Sequence, residues 1–359
     1  MEDARWANKK GYTKHRPALP LYTSDDAEKA LGQLESVNYG ESLYLSGLRV
    51  KFKDAGHILG SSFVEIRTKG EGDSKKVLFS GDLGRPGRPI LRDPMQAFNV
   101  DYLILESTYG NRLHEANSPE EELAKVINQS MGRGGVLLIP AFAVGRTQQI
   151  LFVLRELQEE GKIPPVKIFV DSPMAVDTTG VFERRRGDYD LESKILELNG
   201  KRILQPKKLT LTRDRKQSKK IDQIKSGAII ISASGMLSGG RILHHLIRRL
   251  PKKENTLLFI GYQAEGTRGR ALLEGSQKIK IHGEEVPVNA RVEQVSGYSG
   301  HADYNEILAW LMGFNRKPKK TFLVHGEKES SEALSEKIRG LLGWDVEIPA
   351  FGQGFDLEL

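Results

Sequence analysis

From residue 42 to residue 106 apolar and polar positions alternate in short runs. "SLYLSG" and "LRVKFKDAG" read as a hairpin turning about Gly47. "SFVEIRT" and "KKVLFSGD" flank a turn, "KGEGDS", and "VDYLILES" reads as a buried strand. A helix follows, with Ser118 as its N-cap, Pro119 at its first position and Glu121 completing a capping box. The pattern then changes. "GGVLLIPAF", "PVKIFVDSP", "GAIIISASG" and "TLLFIGYQ" are continuous apolar runs. Between them lie "GRTQQILFVLRELQEEG", a helix from Met174 and "GGRILHHLIRRL". Apolar strands between amphipathic helices predict a parallel sheet covered on both faces. After residue 285 the pattern returns to shorter pieces: "ARVEQVSGYSGHAD", a helix from Asp303, "KKTFLVHGE" and a C-terminal helix.

In such sheets ligands bind at the carboxyl ends of the strands. Those ends carry Pro140-Ala141-Phe142, Asp171-Ser172-Pro173, Ser232-Ala233-Ser234-Gly235 and Gly261-Tyr262-Gln263. Several open a helix whose free N–H groups suit a phosphate.

Composition narrows the class. The 359 residues exceed one ordinary core and point to two domains. No apolar run approaches the ~18 residues of a membrane span. The longest, "GVLLIPAFAVG", is broken by Pro140, and the polar start "MEDARWANKKGYTKHRP" has no secretory pattern. Cysteine is absent. That excludes disulfides, thiol nucleophiles and Cys-ligated zinc, and leads us to expect a cytoplasmic protein. Net charge is +7, and the window 201–225 alone holds ten Lys/Arg against two Asp. Such a run fits either a nucleic-acid partner or a solvated basic surface.

Five places share one format, a strand followed by a polar residue in a tight turn. They are His57 in "DAGHILG", Asp82 in "FSGDLGRP", Glu106 in "LILESTYG", His301 in "SGYSGHAD" and His325 in "LVHGE". One such histidine is ordinarily structural or solvated. Five together suit a hydrolytic metal site built from imidazole and carboxylate, with a proton donor beside it.

The ordered set "GHILGSS", "FSGDLGRPGRPIL", "LILESTYGNRLH", "IPAFAVGRTQQIL", "DSPMA", "ISASGMLSGGR", "VSGYSGHADYNEIL" and "LVHGE" resembles the β-CASP branch of the metallo-β-lactamase-fold nucleases. The likeness is to bacterial and archaeal relatives of the pre-mRNA 3′-end cleavage endonuclease. It implies an α/β architecture, a metallo-β-lactamase αββα fold with an inserted Rossmann-like β-CASP domain. Residues 1–115 and 263–359 would form the former and 116–262 the insert. The resemblance implies two zinc ions, His57 on the first, Asp82 bridging both and His325 on the second. His301 would be the general acid, oriented by Glu106. It further implies a ribonuclease acting on single-stranded RNA, a homodimer and no membrane.

The family's His-x-His-x-Asp-His motif, expected upstream of His57, is absent from this sequence. The chain therefore resembles a member without its first part, incomplete at the N-terminus of the fold. Half of the first ion's shell is expected to be missing, and with it full zinc occupancy. A non-catalytic RNA-binding or scaffold subunit is the rival reading. An ester or thioester hydrolase on the same fold is a third. For the RNA channel we expect Arg146 and Thr147 at one helix start, and Ser232, Ser234, Gly235 and Arg241 in "SASGMLSGGR". Arg268 and Arg270 are expected beyond them, and Tyr109, Phe142 and Tyr262 as surfaces for bases to stack on.

Overall fold

The computed structural model describes residues 4–5, 8–9, 11, 15–68, 74–114 and 118–358. The turn "KGEGDS" lies largely outside them. A short helix, α1 (Ser24–Leu31), precedes a seven-stranded sheet. That sheet takes β1 (Ser42–Leu45), β2 (Leu48–Asp54), β3 (Ser62–Thr68), β4 (Lys76–Phe79) and β5 (Tyr102–Glu106) in chain order. It is completed by β14 (Lys320–Val324) and β15 (Val346–Glu347). The first four strands pair antiparallel, and the last four parallel.

Everything between β5 and β14 leaves this sheet and returns. The excursion builds a six-stranded, all-parallel sheet in the order β13-β10-β6-β9-β7-β8. Its strands are β6 (Val136–Pro140), β7 (Lys167–Asp171), β8 (Leu209–Thr212), β9 (Ala228–Ser232), β10 (Thr256–Phe259) and β13 (Arg291–Gln294). The hairpin β11 (Lys278–Ile281) and β12 (Glu284–Pro287) stands apart. The helices are α2 (Pro119–Gly132), α3 (Arg146–Glu159), α4 (Pro173–Arg184), α5 (Leu191–Leu198), α6 (Arg215–Ile221), α7 (Ile242–Arg249) and α8 (Arg268–Leu273). α9 (Tyr304–Met312) and α10 (Lys328–Leu342) lie on the first sheet.

The two patterns in the sequence become two kinds of core. Along β9, Ile229 and Ile231 enter one apolar cluster and Ile230 the other. Along β6, Leu137 and Ile139 divide from Val136 and Leu138 in the same way. A strand buried on both faces must be apolar at every position, which is why these runs do not alternate. The first sheet is buried mainly on one face and only in part on the other, where Val50, Val77, Tyr102 and Phe322 are covered. Phe63, Leu78, Leu103, Leu105 and Leu323 pack beneath α9 and α10, while Phe79 and Val324, on the opposite face, stay exposed. Pairing register puts Phe52, Val64, Phe79 and Ile104 in one row on that second face.

Capping differs in detail from expectation. The Ser118 hydroxyl accepts from the Glu121 N–H at 3.4 Å but donates to the Glu120 carboxylate. The return bond from Glu121 is not among the bonds of the described residues. Asp303 and Glu306 form the full reciprocal box at the start of α9. The basic window maps to β8, α6 and their flanks. As β8 is an edge strand, its exposed flanking lysines keep that edge solvated.

Candidate metal centre and cleft

Three parallel neighbours, β4, β5 and β14, end on one side of the first sheet. Each delivers a polar residue there: Asp82 just after β4, Glu106 as the last residue of β5, and His325 directly after β14. His57 comes from the β2–β3 turn. Gly56 holds φ +66° there, and its N–H bonds the Asp54 carboxylate at 2.9 Å. The Ser61 hydroxyl accepts from the His57 N–H at 3.0 Å, fixing the imidazole's backbone.

The Asp82 carboxylate lies between two imidazoles, 3.8 Å from His57 Nε2 and 3.3 Å from His325 Nδ1. Donor atoms of His57, Asp82 and His301 all fall within 4.8 Å of one another. The His57 and His301 ring centroids are 4.4 Å apart. Burial, with the nearby His301 ring, lowers the His57 pKa to about 4, so the ring is neutral and its lone pair free for a metal. Neutral imidazole and carboxylate, without cysteine, are a donor set that suits zinc. One imidazole stands on each side of the Asp82 carboxylate, so His57 with Asp82, and Asp82 with His325, offer two protein donors per candidate position. The described residues therefore fit a metal, with further positions to be filled.

His301 and Glu106 lie side by side. His301 Nδ1 lies 3.0 Å from both carboxylate oxygens of Glu106, which is 2% exposed. The Leu83 N–H adds a bond to Oε1 at 2.5 Å. Burial alone would lower the His301 pKa. The hydrogen bond and charge of Glu106 outweigh it, helped by Asp82, and raise the pKa above the ordinary imidazole value. The proton-donating form of His301 is thus present below that raised value and lost as pH rises through it. We predict that Glu106→Gln removes this support. NMR titration of His301 should then show a lower pKa than in the wild type.

A close backbone approach locks the metal turn to its neighbour. The Gly84 N–H donates to the Ala55 carbonyl at 2.7 Å, and a Cβ on Gly84 would stand 2.1 Å from the Gly56 carbonyl carbon and oxygen. Backbone cannot yield as a side chain can. Gly84→Ala is therefore expected to cost at least the ~1–3 kcal/mol of an overpacked site, seen as a lower urea midpoint, and to displace His57.

The sheet ends and the insert enclose a cavity of about 440 Å³. His57, Asp82 and His301 line one wall, and Phe142, Arg146 and Gly235 another. Tyr262 also lines it and bonds Glu327. Arg112 lies 5.1 Å from the Tyr109 ring centroid and 5.3 Å from that of Tyr262.

Other expected RNA contacts are engaged within the protein. Thr147 is 1% exposed and donates to the Phe142 carbonyl at 2.8 Å. The Ser232 hydroxyl donates to the Asp171 carbonyl. The Ser234 hydroxyl accepts from the Ser238 N–H and stabilises its own turn. Arg241 is held at 2.8 Å by the buried Asp171 carboxylate and at 2.8 Å by the Arg213 carbonyl. Arg268 bonds the carbonyls of Leu237 and Lys280, away from the cavity. Arg270 pairs with Glu274. Of the expected polar channel set, Arg146 and Gly235 face the cleft.

Two further residues, inside the quoted motifs but not singled out there, stand at the site. His114 Nε2 lies 3.1 Å from the His301 carbonyl, and its N–H donates to Asp303. Burial, with the Arg85 charge, lowers its pKa, so a neutral ring donates to that carbonyl. Arg88 also lines the cavity. Its burial, beside Arg146 and Arg85, pulls its guanidinium down to about 9, and burial pulls that of Arg146 to about 10. Both remain charged at neutral pH.

Residues 147–272 match the family described as the Beta-Casp domain. Residues 285–349 match that described as the Zn-dependent metallo-hydrolase RNA specificity domain. The chain is 37% identical over 336 residues to ribonuclease TTHA0252 of Thermus thermophilus, covering 93% of this chain and 75% of that protein. It is 32% identical over 344 residues to an RNase J-like protein of Methanocaldococcus jannaschii, covering 92% and 76%. It is 33% identical over 348 residues to the transcription termination factor FttA of Thermococcus kodakarensis, covering 92% of this chain and 52% of that factor.

Proposed function

The chain belongs to the β-CASP family of metallo-β-lactamase-fold ribonucleases, and on that premise we propose that it hydrolyses phosphodiester bonds of single-stranded RNA. The observation that carries this reading is the Glu106–His301 pair set against Asp82 and His57 at the floor of one cleft. A metal-dependent hydrolase of this family uses zinc. We infer that His57 and Asp82 hold one ion, and Asp82 and His325 a second. When bound, zinc supplies positive charge against the phosphate and acidifies a water for attack.

The protein's own groups do the rest. Glu106 accepts the Nδ1 proton of His301, which fixes the tautomer and stabilises the protonated ring. The other ring nitrogen then gives its proton to the oxygen that leaves phosphorus, as water adds and the P–O bond breaks. The neutral His114 holds the His301 backbone in place. Arg146 and the apolar cleft wall orient the strand.

No helix among the described residues is long and apolar enough to cross a membrane. For the division of the chain we propose that the inserted domain extends past residue 262 to about residue 294, because β13 pairs with β10 in the parallel sheet. Pairing of two copies is part of this reading, and sedimentation of the purified chain tests it.

The test of function is cleavage of labelled single-stranded RNA by the zinc-loaded chain, with and without a chelator. Cleavage abolished by the chelator supports the reading. RNA binding that survives the chelator, with no cleavage in zinc, favours the scaffold alternative. The observation on its side is that a single imidazole stands on each side of Asp82 among the described residues.

A further inference from the structure

We infer that Arg88 and Arg146 form an anion subsite that grips the RNA phosphate next to the one being cut. The inference deepens the proposed function and rests on it. Its basis is a charge imbalance. The two guanidiniums converge on one acceptor, the Gln149 side-chain oxygen, with Arg146 Nη1 at 2.9 Å and Arg88 bonded through Nη2. Among the described residues neither arginine has a carboxylate within ion-pair distance. Glu306 is bound by Arg85 Nε at 3.0 Å. The Nε and Nη1 atoms of Arg88 are buried without a hydrogen-bond partner.

Proteins seldom leave two like charges buried together with donors unused, because each unmet donor costs about 1–3 kcal/mol. A bound anion in the cavity that both arginines line supplies the missing charge. The position selects the anion. A Cβ built on Gly300 would lie 3.4 Å from Arg88 Nη1 and 2.8 Å from His57 Nδ1, so the guanidinium and the metal-side imidazole flank the same backbone. Both arginines line the cavity that holds Asp82 and His301. A strand whose scissile phosphate sits at Asp82 brings a neighbouring phosphate to this wall. Gln149 is 5% exposed and holds the two forks in register.

The experiment uses the full chain in EDTA, so that neither metal nor hydrolysis contributes. A fluorescein-labelled 2′-O-methyl oligouridine is titrated at several salt concentrations. The double variant Arg88→Gln, Arg146→Gln is expected to bind roughly 10- to 100-fold more weakly. The slope of log K against log salt should fall by about 0.7, the value for one phosphate on a single strand. Arg88→Lys keeps the charge without the fork, so it should retain the slope and lose affinity. In parallel, inorganic phosphate should raise the wild-type Tm more than chloride at equal ionic strength, and should not do so for Arg88→Gln. The urea midpoint of Arg88→Gln should not fall, since one of two crowded charges is gone. A structural arginine would lower it. An unchanged oligouridine slope in the double variant overturns the inference, as does phosphate stabilisation that persists in Arg88→Gln. If the wild type fails to bind the oligouridine at all, the RNA reading of the whole site falls with it. Binding with an unaltered slope sinks the subsite alone.

Discussion

His301→Ala is expected to lower RNA cleavage by about 10²–10⁴-fold in a preparation that cuts single-stranded RNA, with its bound metal unchanged. The magnitude is that of a lost general acid. Nδ1 of His301 is committed to Glu106, so a single ring nitrogen remains to face the cleft. That nitrogen could in principle serve a metal, because the donor atoms of His57, Asp82 and His301 cluster within 4.8 Å. The raised pKa argues for the proton instead. A metal donor must be neutral, whereas the Glu106 carboxylate stabilises the protonated ring. Single-turnover rates and elemental analysis of the same sample separate the two roles. Unchanged zinc with a slow chemical step identifies the acid. A parallel fall in zinc would make His301 a ligand and overturn the assignment.

The second large effect concerns Asp82. Its carboxylate lies between His57 and His325, and its two oxygens face one imidazole each. Asp82→Ala should remove metal from both sides at once. The loss of affinity should exceed the ~10–100-fold that removal of an outer supporting group costs, and cleavage should disappear with it. Zinc per chain, measured against a competing chelator, checks this. Retention of two ions by Asp82→Ala would show that the carboxylate does not bridge. The wild-type measurement matters as much, since the described donors supply two protein contacts per ion, below the three of a usual catalytic zinc. Fewer than two ions in the wild type is the expected value for this polypeptide.

Much of this arrangement is legible in the residues. Strand ends announce themselves by an apolar run that stops at a polar residue. Parallel pairing then brings such ends together, so Asp82, Glu106 and His325 converge without any local contact in sequence. The buried β9 run "AIIIS" and the Ser172 cap with Pro173 at the first helical turn follow the same local rules. What fails is the inference from a local turn to a free donor. "SASGMLSGGR" has the small residues of an anion cradle, yet Arg241 is held by Asp171 from a different strand. Nothing near Arg241 reveals that partner. The reverse happens in "GRPGRPIL". Arg85 and Arg88 look alike in sequence, but Glu306 reaches the first and not the second. Whether a guanidinium is free is decided by the far side of the fold. The strand β8 was hidden for another reason, since four residues inside a basic window give no usable period.

The pairing of β5 with β14 has a consequence for the order of events in synthesis. Ser107 donates to the Val324 carbonyl across 217 residues of chain. The entropy of closing so long a loop is large for an unstructured segment and falls once the intervening domain has folded and brought its ends together. The inserted domain is therefore expected to form first, with the first sheet closing afterwards. Glu106 and His325 lie on the two strands joined at that moment. A nascent chain halted within the insert carries Asp82 and Glu106 but neither His301 nor His325. The proposed nuclease chemistry therefore requires translation to have passed His325.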